Sequence, residues 1–180
     1  MWSRRGTNQW KINTDGSCMA TLGLAGAGGI VRNKIGQMRM AFSNPLQFST
    51  NNSKEVLTAL FRVSWCYQNI EGLILELDSQ LVVQMINGSC TTPWRLHESV
   101  ESITKLVRLR RIQIQHCYRE GNEVARALAK HATTLQTNTL FFEEAHLPPT
   151  ARGALRMDRL QLPSFRIKQK KYSGWCFHSH

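Results

Sequence analysis

The chain has 180 residues, 42% of them hydrophobic, with a formal net charge of +11 and a pI near 10. That length fits one domain plus an extension, and the apolar share excludes a chain too polar to build a core. No apolar run approaches the roughly 20 residues that span a bilayer, so the basic surplus points to polyanions, whose neutralised phosphates release counterions on binding. Residues 1–142 hold 16 Lys/Arg against 9 Asp/Glu and residues 143–180 hold 7 against 3, so body and tail are both basic. The five cysteines are scattered without a Cys-x-x-Cys pair; reduced thiols in an intracellular protein, nuclear or cytoplasmic, are the economical reading. Met1 to Arg5 is basic but leads into no apolar signal core.

After a lead over residues 1–9, Trp10 to Asp15 alternates apolar and polar side chains, the period of a strand, which Asp15 is expected to end. Ala25 to Arg32 and Gln37 to Phe42 predict two further strands joined by the turn formers Asn33-Lys34-Ile35-Gly36. Between Asn51 and Gln68 the apolar positions follow helical spacing, with Asn52 as cap and Glu55 in the first turn. Leu73 to Leu77 predicts a buried strand with Asp78 at its end, then a helix over Gln80 to Ile86 stopped by Gly88. Trp94 to Leu109 predicts a helix, Arg111 to Cys117 a last strand, and Asn122 opens a final helix to about Leu135. The order βββαβααβα predicts an α/β fold with a mixed five-stranded sheet and helices on both faces, over residues 10–136. Residues 137–180, with Pro148-Pro149, Pro163 and Lys168-Gln169-Lys170-Lys171, read as a basic, largely irregular extension with at most local helix around Ala151 to Leu160.

Three acids stand at predicted element boundaries: Asp15, Glu55 and Asp78. Taken singly each is an ordinary surface acid, the normal fate of such residues. Converging from adjacent strand ends and a nearby helix, they form the oxygen donor set that hard divalent cations take. Two such cations supply what phosphodiester hydrolysis needs: a deprotonated water, a shielded phosphate and a stabilised leaving oxygen.

Their contexts carry a resemblance. Thr14-Asp15-Gly16-Ser17-Cys18, Thr50-Asn51-Asn52-Ser53-Lys54-Glu55, Asp78-Ser79-Gln80 and Tyr118-Arg119-Glu120-Gly121-Asn122-Glu123-Val124-Ala125-Arg126-Ala127-Leu128-Ala129-Lys130 resemble the signatures of the type 1 ribonuclease H family, from about Lys11 to Ala132. The version around His116-Cys117-Tyr118 looks like the plant retroelement-related, reverse-transcriptase-like branch. The resemblance implies a ribonuclease H-like fold and metal-dependent hydrolysis of the RNA strand of RNA/DNA hybrids. It also implies Mg2+ or Mn2+ held by the catalytic acids Asp15, Glu55 and Asp78, nucleic-acid contacts from Gly16, Ser17, Asn51, Asn52 and Gln80, and a monomer with no membrane partner. Amide side chains both donate and accept, so they can read 2'-hydroxyls and base edges in a minor groove. His116 is read as a strand residue and not as a catalytic histidine.

Two positions depart from the family pattern. Thr21 stands where an asparagine that touches substrate is expected, and Arg126 stands where the family carries its fourth carboxylate. A guanidinium about 5 Å from a divalent ion is repelled by several kcal/mol at an effective dielectric near 20, although the long side chain can swing to solvent. The alternatives are a weakened nuclease, an inactive hybrid- or RNA-binding module, and a remnant of a retroelement reverse transcriptase polyprotein. In a separate reading, Tyr172, Trp175 and Phe177, interleaved with Lys168, Lys170 and Lys171, make the tail a single-strand-binding segment.

Overall fold

The computed structural model describes residues 9–46 and 72–160. Strands β1 (Trp10–Met19), β2 (Leu24–Asn33) and β3 (Met38–Leu46) form an antiparallel meander. The turn between β2 and β3 closes as its residue types require. Asn33 Oδ1 accepts from the backbone N–H groups of Ile35 and Gln37 at 3.2 and 2.9 Å, and Gly36 takes φ 79°. Strand β4 (Leu73–Leu77), helices α1 (Gln80–Ile86) and α2 (Trp94–Arg110), strand β5 (Gln113–His116), helix α3 (Glu123–Ala132), strand β6 (Thr139–Phe141) and helix α4 (Pro149–Arg159) complete the described part. The helix expected between Asn51 and Gln68 lies outside the described residues.

The sheet runs β5-β4-β1-β2-β3-β6, with β1, β4 and β5 parallel and the other pairs antiparallel. Helices cover both of its faces, as expected. On one side Val83, Met85 and Ile86 of α1 and Leu96, Val100 and Ile103 of α2 pack over Ile12, Val31, Leu75 and Leu77. On the other, Val124 and Leu128 of α3 join Ala151 and Leu155 of α4 over Ile30 and Ala41.

Three expectations are corrected. The sheet has six strands among the described residues and not five, because Thr139–Phe141 pairs with Ala41–Ser43 of β3. Residues 139–159 are therefore not a largely irregular extension, although the local helix expected around Ala151 to Leu160 is found as α4: Phe141, Leu147, Ala151 and Leu155 are buried in one cluster, with Ala151 and Leu155 four apart on one side of that helix. An alanine and a single leucine make a weak periodic signal, and a three-residue strand has no period to read. Finally, Asp15 does not end β1; the strand continues four residues further because its ladder with β2 runs on to Met19 opposite Leu24.

Helix α3 lies unusually close to β2. A Cβ on Gly28 would stand 2.1 Å from the backbone nitrogen of Ala129, and one on Gly26 2.7 Å from the Ala129 carbonyl oxygen. Ala125, Ala129 and Ala132 on the facing side of the helix are fully buried, and the Ser43 hydroxyl donates to the Leu128 carbonyl at 2.9 Å. Small residues on both partners let the backbones approach, and that approach sets where the start of α3 stands over β1.

Gly28→Ala is expected to destabilise the protein by about 3 kcal/mol, because its methyl meets backbone and not a yielding side chain. Gly153→Ala, in open space on α4, is expected to stabilise by up to about 1 kcal/mol. Urea unfolding of the two variants against wild type measures both.

Candidate active site

β1 and β4 are parallel and in register with Asn13 beside Glu76. Asp15 lies two residues on from Asn13 in β1, and Asp78 two on from Glu76, just past the end of β4 and near enough for its charge to act on Asp15. Both are half-buried. Asp15 Oδ1 accepts the Gly16 N–H at 2.9 Å. Burial first, and then the charge of Asp78, push the Asp15 carboxyl from 3.8 up to about 6; the Gly16 N–H, Arg126 and Arg119 act in the opposite direction.

Arg126 lies in the second turn of α3, half exposed, with Nη2 2.9 Å from Glu123 Oε2. It is thus held on its own helix by an i,i+3 pair, and still close enough to be felt by Asp15. Arg119, in the turn Arg119–Asn122 that precedes α3, puts Nε 3.7 Å from Asp78 Oδ2 and is mostly exposed. Two acids and two guanidinium groups therefore share one end of the sheet. Gly16 and Ser17 are half-buried in β1 opposite Ala27 and Gly26. Gln80 is exposed at the start of α1, whose N-terminus Ser79 caps by accepting from Val82 N at 3.4 Å. Thr21 is exposed in the short turn Ala20–Leu22. His116 is exposed at the end of β5, edge-on to Tyr118 with ring centroids 5.6 Å apart. Glu55, Asn51 and Asn52 lie outside the described residues.

Sequence reasoning passed over the layer beneath the acids. Glu76 is buried in the middle of β4 and accepts from Lys11 Nζ at 2.7 Å, Asn13 Nδ2 at 3.0 Å and Gln115 Nε2 at 2.6 Å. Burial alone would raise its carboxyl, but these three donors outweigh it and hold the group below the usual range. Arg32, also buried, donates from Nε to Asn13 Oδ1 at 3.2 Å and from Nη2 to the Gly121 carbonyl at 3.1 Å. A glutamate inside the apolar run Leu73–Leu77, spaced by two from Asp78, and an asparagine spaced by two from Asp15 were the available signals. The half-buried Cys117 thiol, 3.9 Å from Asn13 Nδ2, is pushed up to about 11 by burial and by Glu76 and Asp78. It is accordingly no nucleophile at neutral pH.

Asp15 and Asp78 are hard oxygen donors whose mutual repulsion a divalent cation would relieve, and they fit one such ion. Among the described residues no third His, Cys, Asp or Glu joins them.

Comparison with known proteins agrees with this geometry. A model of a family described as reverse transcriptase-like matches residues 13–132. The chain belongs to the reverse transcriptase-like family. An Arabidopsis thaliana protein named "Putative ribonuclease H protein" is 27% identical over 154 residues, which is 81% of this chain and 23% of that protein. The chain thus spans about a quarter of that relative's length. Among solved structures, LC11-RNase H1, isolated from compost by a metagenomic approach, superposes with a TM-score of 0.63 at 25% identity, covering 71% of this chain and 96% of that one. A second structure of LC11-RNase H1, in complex with an RNA/DNA hybrid, gives 0.61 at 24% identity, covering 70% and 97%. These likenesses make this reverse transcriptase-like chain a ribonuclease H-fold protein of the retroelement-related kind. The matched segment contains Asp15, Asp78 and Arg126.

Because Asp15 carries a raised carboxyl, the folded protein binds its proton more tightly than the unfolded chain does. The stability this group contributes is complete below about pH 4 and is lost as pH rises through about 6. Asp15→Asn is therefore expected to match wild type near pH 4 and to exceed it by roughly 1–3 kcal/mol at pH 7 without divalent cations. Denaturant unfolding at the two pH values checks the sign.

Proposed function

We propose that this domain binds RNA/DNA hybrids and hydrolyses the RNA strand with a divalent cation, Mg2+ or Mn2+, at a rate lowered by Arg126. The observation that carries the reading is the pair Asp15 and Asp78, at the ends of paired parallel strands and close enough for the charge of Asp78 to oppose ionisation of Asp15. The fold shared with LC11-RNase H1, a protein solved with such a hybrid bound, supports the substrate class, and the net charge of +11 supports a polyanionic partner.

Asp15 and Asp78 would hold the cation, with Glu55 as the further ligand that its motif suggests. A bound divalent ion supplies an activated water and shields the phosphate charge. The chain's own residues do the rest. Gly16 N–H holds one oxygen of Asp15 and so turns the carboxylate. Arg119, exposed beside Asp78, would take a substrate phosphate. Gly16, Ser17 and Gln80, and by their motif Asn51 and Asn52, would contact the hybrid's minor groove. Arg126 supplies positive charge where a carboxylate would have added negative charge, which weakens the hold on a cation and favours retention of phosphate.

That last feature favours a second reading, a hybrid-binding module without turnover, since Arg119 and Arg126 both lower the charge that the two acids present. Cleavage of the labelled RNA strand of a hybrid, in Mg2+ and in Mn2+, separates the two. Wild type is expected to turn over slowly, Asp15→Asn to abolish cleavage while leaving hybrid affinity within about threefold, and Arg126→Asp to raise the rate by tenfold or more, about 1.4 kcal/mol in the barrier. Robust wild-type turnover untouched by Asp15→Asn would sink the site assignment, and absence of cleavage in wild type and Arg126→Asp alike would leave the binding module.

A further inference from the structure

The polar layer beneath the acids extends beyond the family core. Arg32 on β2 is 7% exposed, and its planar fork has three directions in use. Nε takes Asn13 on β1, Nη2 takes the Gly121 carbonyl in the turn before α3, and Nη1 pairs with Asp158 in the last turn of α4. A parallel tie runs alongside: Asn122, also buried, donates from Nδ2 to the Thr14 carbonyl at 3.0 Å. One guanidinium thus joins four segments, β2, β1, the turn before α3 and α4, and reaches β4 through Asn13. Asn13 is two residues from Asp15, its partner Glu76 is two residues from Asp78, and Gly121 leads the turn from which α3 carries Arg126.

We propose that Arg32 is a positioning residue for the Asp15–Asp78 site, and that helix α4, through the pair Asp158–Arg32, is part of what sets the site's geometry. The inference rests on the reading of that site as the functional one. A flat fork with hydrogen-bond acceptors along two directions tolerates little displacement, because each bond weakens steeply once its distance or angle departs from ideal, and the ion pair with Asp158 ties its third nitrogen to α4. Moving the turn at Gly121 relative to Asn13 therefore costs Arg32 a bond, and α4 holds the third prong in place. Its docking is independent of the acids: Ala151 and Leu155 are buried, and Arg159 donates from Nε to the Gly36 carbonyl at 2.9 Å and pairs with Glu144. Were this layer only a source of stability, apolar side chains of similar volume would serve as well, since burying paired charges gives little net gain.

Three full-length variants test the assignment: Asp158→Asn, which keeps shape and leaves Arg32 in place, Arg32→Lys, which keeps the charge but loses the fork, and Arg159→Ala, which breaks other contacts of α4. Backbone amide shifts and hydrogen exchange are read at Gly16, whose N–H is held by Asp15, and at Gly121, whose N–H is held by the Tyr118 carbonyl. Asp158→Asn and Arg32→Lys are expected to move both amide signals and to speed their exchange on the order of tenfold, with kcat for hybrid cleavage falling by a similar factor at nearly constant KM. Arg159→Ala is expected to lower Tm without either effect. If Arg32→Lys does not fold, Asp158→Asn decides alone. Changes confined to α4 and Arg32, with Gly16 and Gly121 unmoved, would overturn the proposal. Absence of cleavage in wild type would instead count against the catalytic reading, and the amide signals would still decide this one.

Discussion

Parallel pairing of β1 with β4 is the constraint on which the rest of the molecule hangs. The strands are separated by the whole β2–β3 meander and by residues 47–72, and a parallel pair needs a crossover of a dozen residues or more. Once made, the pairing sets Asn13 beside Glu76 and so carries Asp15 and Asp78, each two residues on, to the same end of the two strands. Asp15 and Asp78 are brought together by backbone hydrogen bonds and not by any attraction of their own, since they repel. The raised carboxyl of Asp15 expresses that repulsion, added to a larger effect of burial.

The molecule balances this repulsion in two layers. At the surface, Arg119 and Arg126 approach the acids from the turn before α3 and from α3 itself, each mostly or half exposed. Below, Glu76 and Arg32 are buried and matched by neutral and charged partners, Asn13 standing between them. The lower layer is buried. The upper one keeps exposed cations next to half-buried acids, an arrangement able to exchange partners when an anionic ligand or a divalent cation arrives. Close contact of α3 with the glycines of β2 holds the two layers in register, because the helix that bears Arg126 cannot rise from the sheet without losing the contacts of Ala125, Ala129 and Ala132.

Much of the fold was legible along the chain. Leu73–Leu77 and Gln80–Ile86 were readable to the residue, because a short apolar run ending at an acid, followed by Ser79 as cap and closed by Gly88 in a positive-φ conformation, states its own boundaries. β6 and the burial of α4 were not legible. Three residues pairing with an edge strand contain no period, and the two prolines at 148 and 149 read as a break although Pro149 begins a helix, the position where proline is tolerated. The acids could be named from their motifs, whereas the buried layer could not: nothing in Leu73-Ile74-Leu75-Glu76-Leu77 says whether the glutamate is an exposed edge residue or a core residue with three donors.

From the order and period of its residues alone, the chain determined the succession of β1 to β5 and α1 to α3 and its basic surplus, because those are local properties of short windows, while the resemblance of its motifs singled out the acids and Arg126 as candidates. Only tertiary structure decided that Arg126 is paired with Glu123 on its own helix while still bearing on Asp15, that Arg119 stands beside Asp78, and that Arg32 ties the C-terminal helix to the strands beneath the site. Each of these depends on a few ångströms between segments far apart in sequence. Such distances follow from sheet register and from the closeness of helix to sheet, and no window of neighbouring residues contains them.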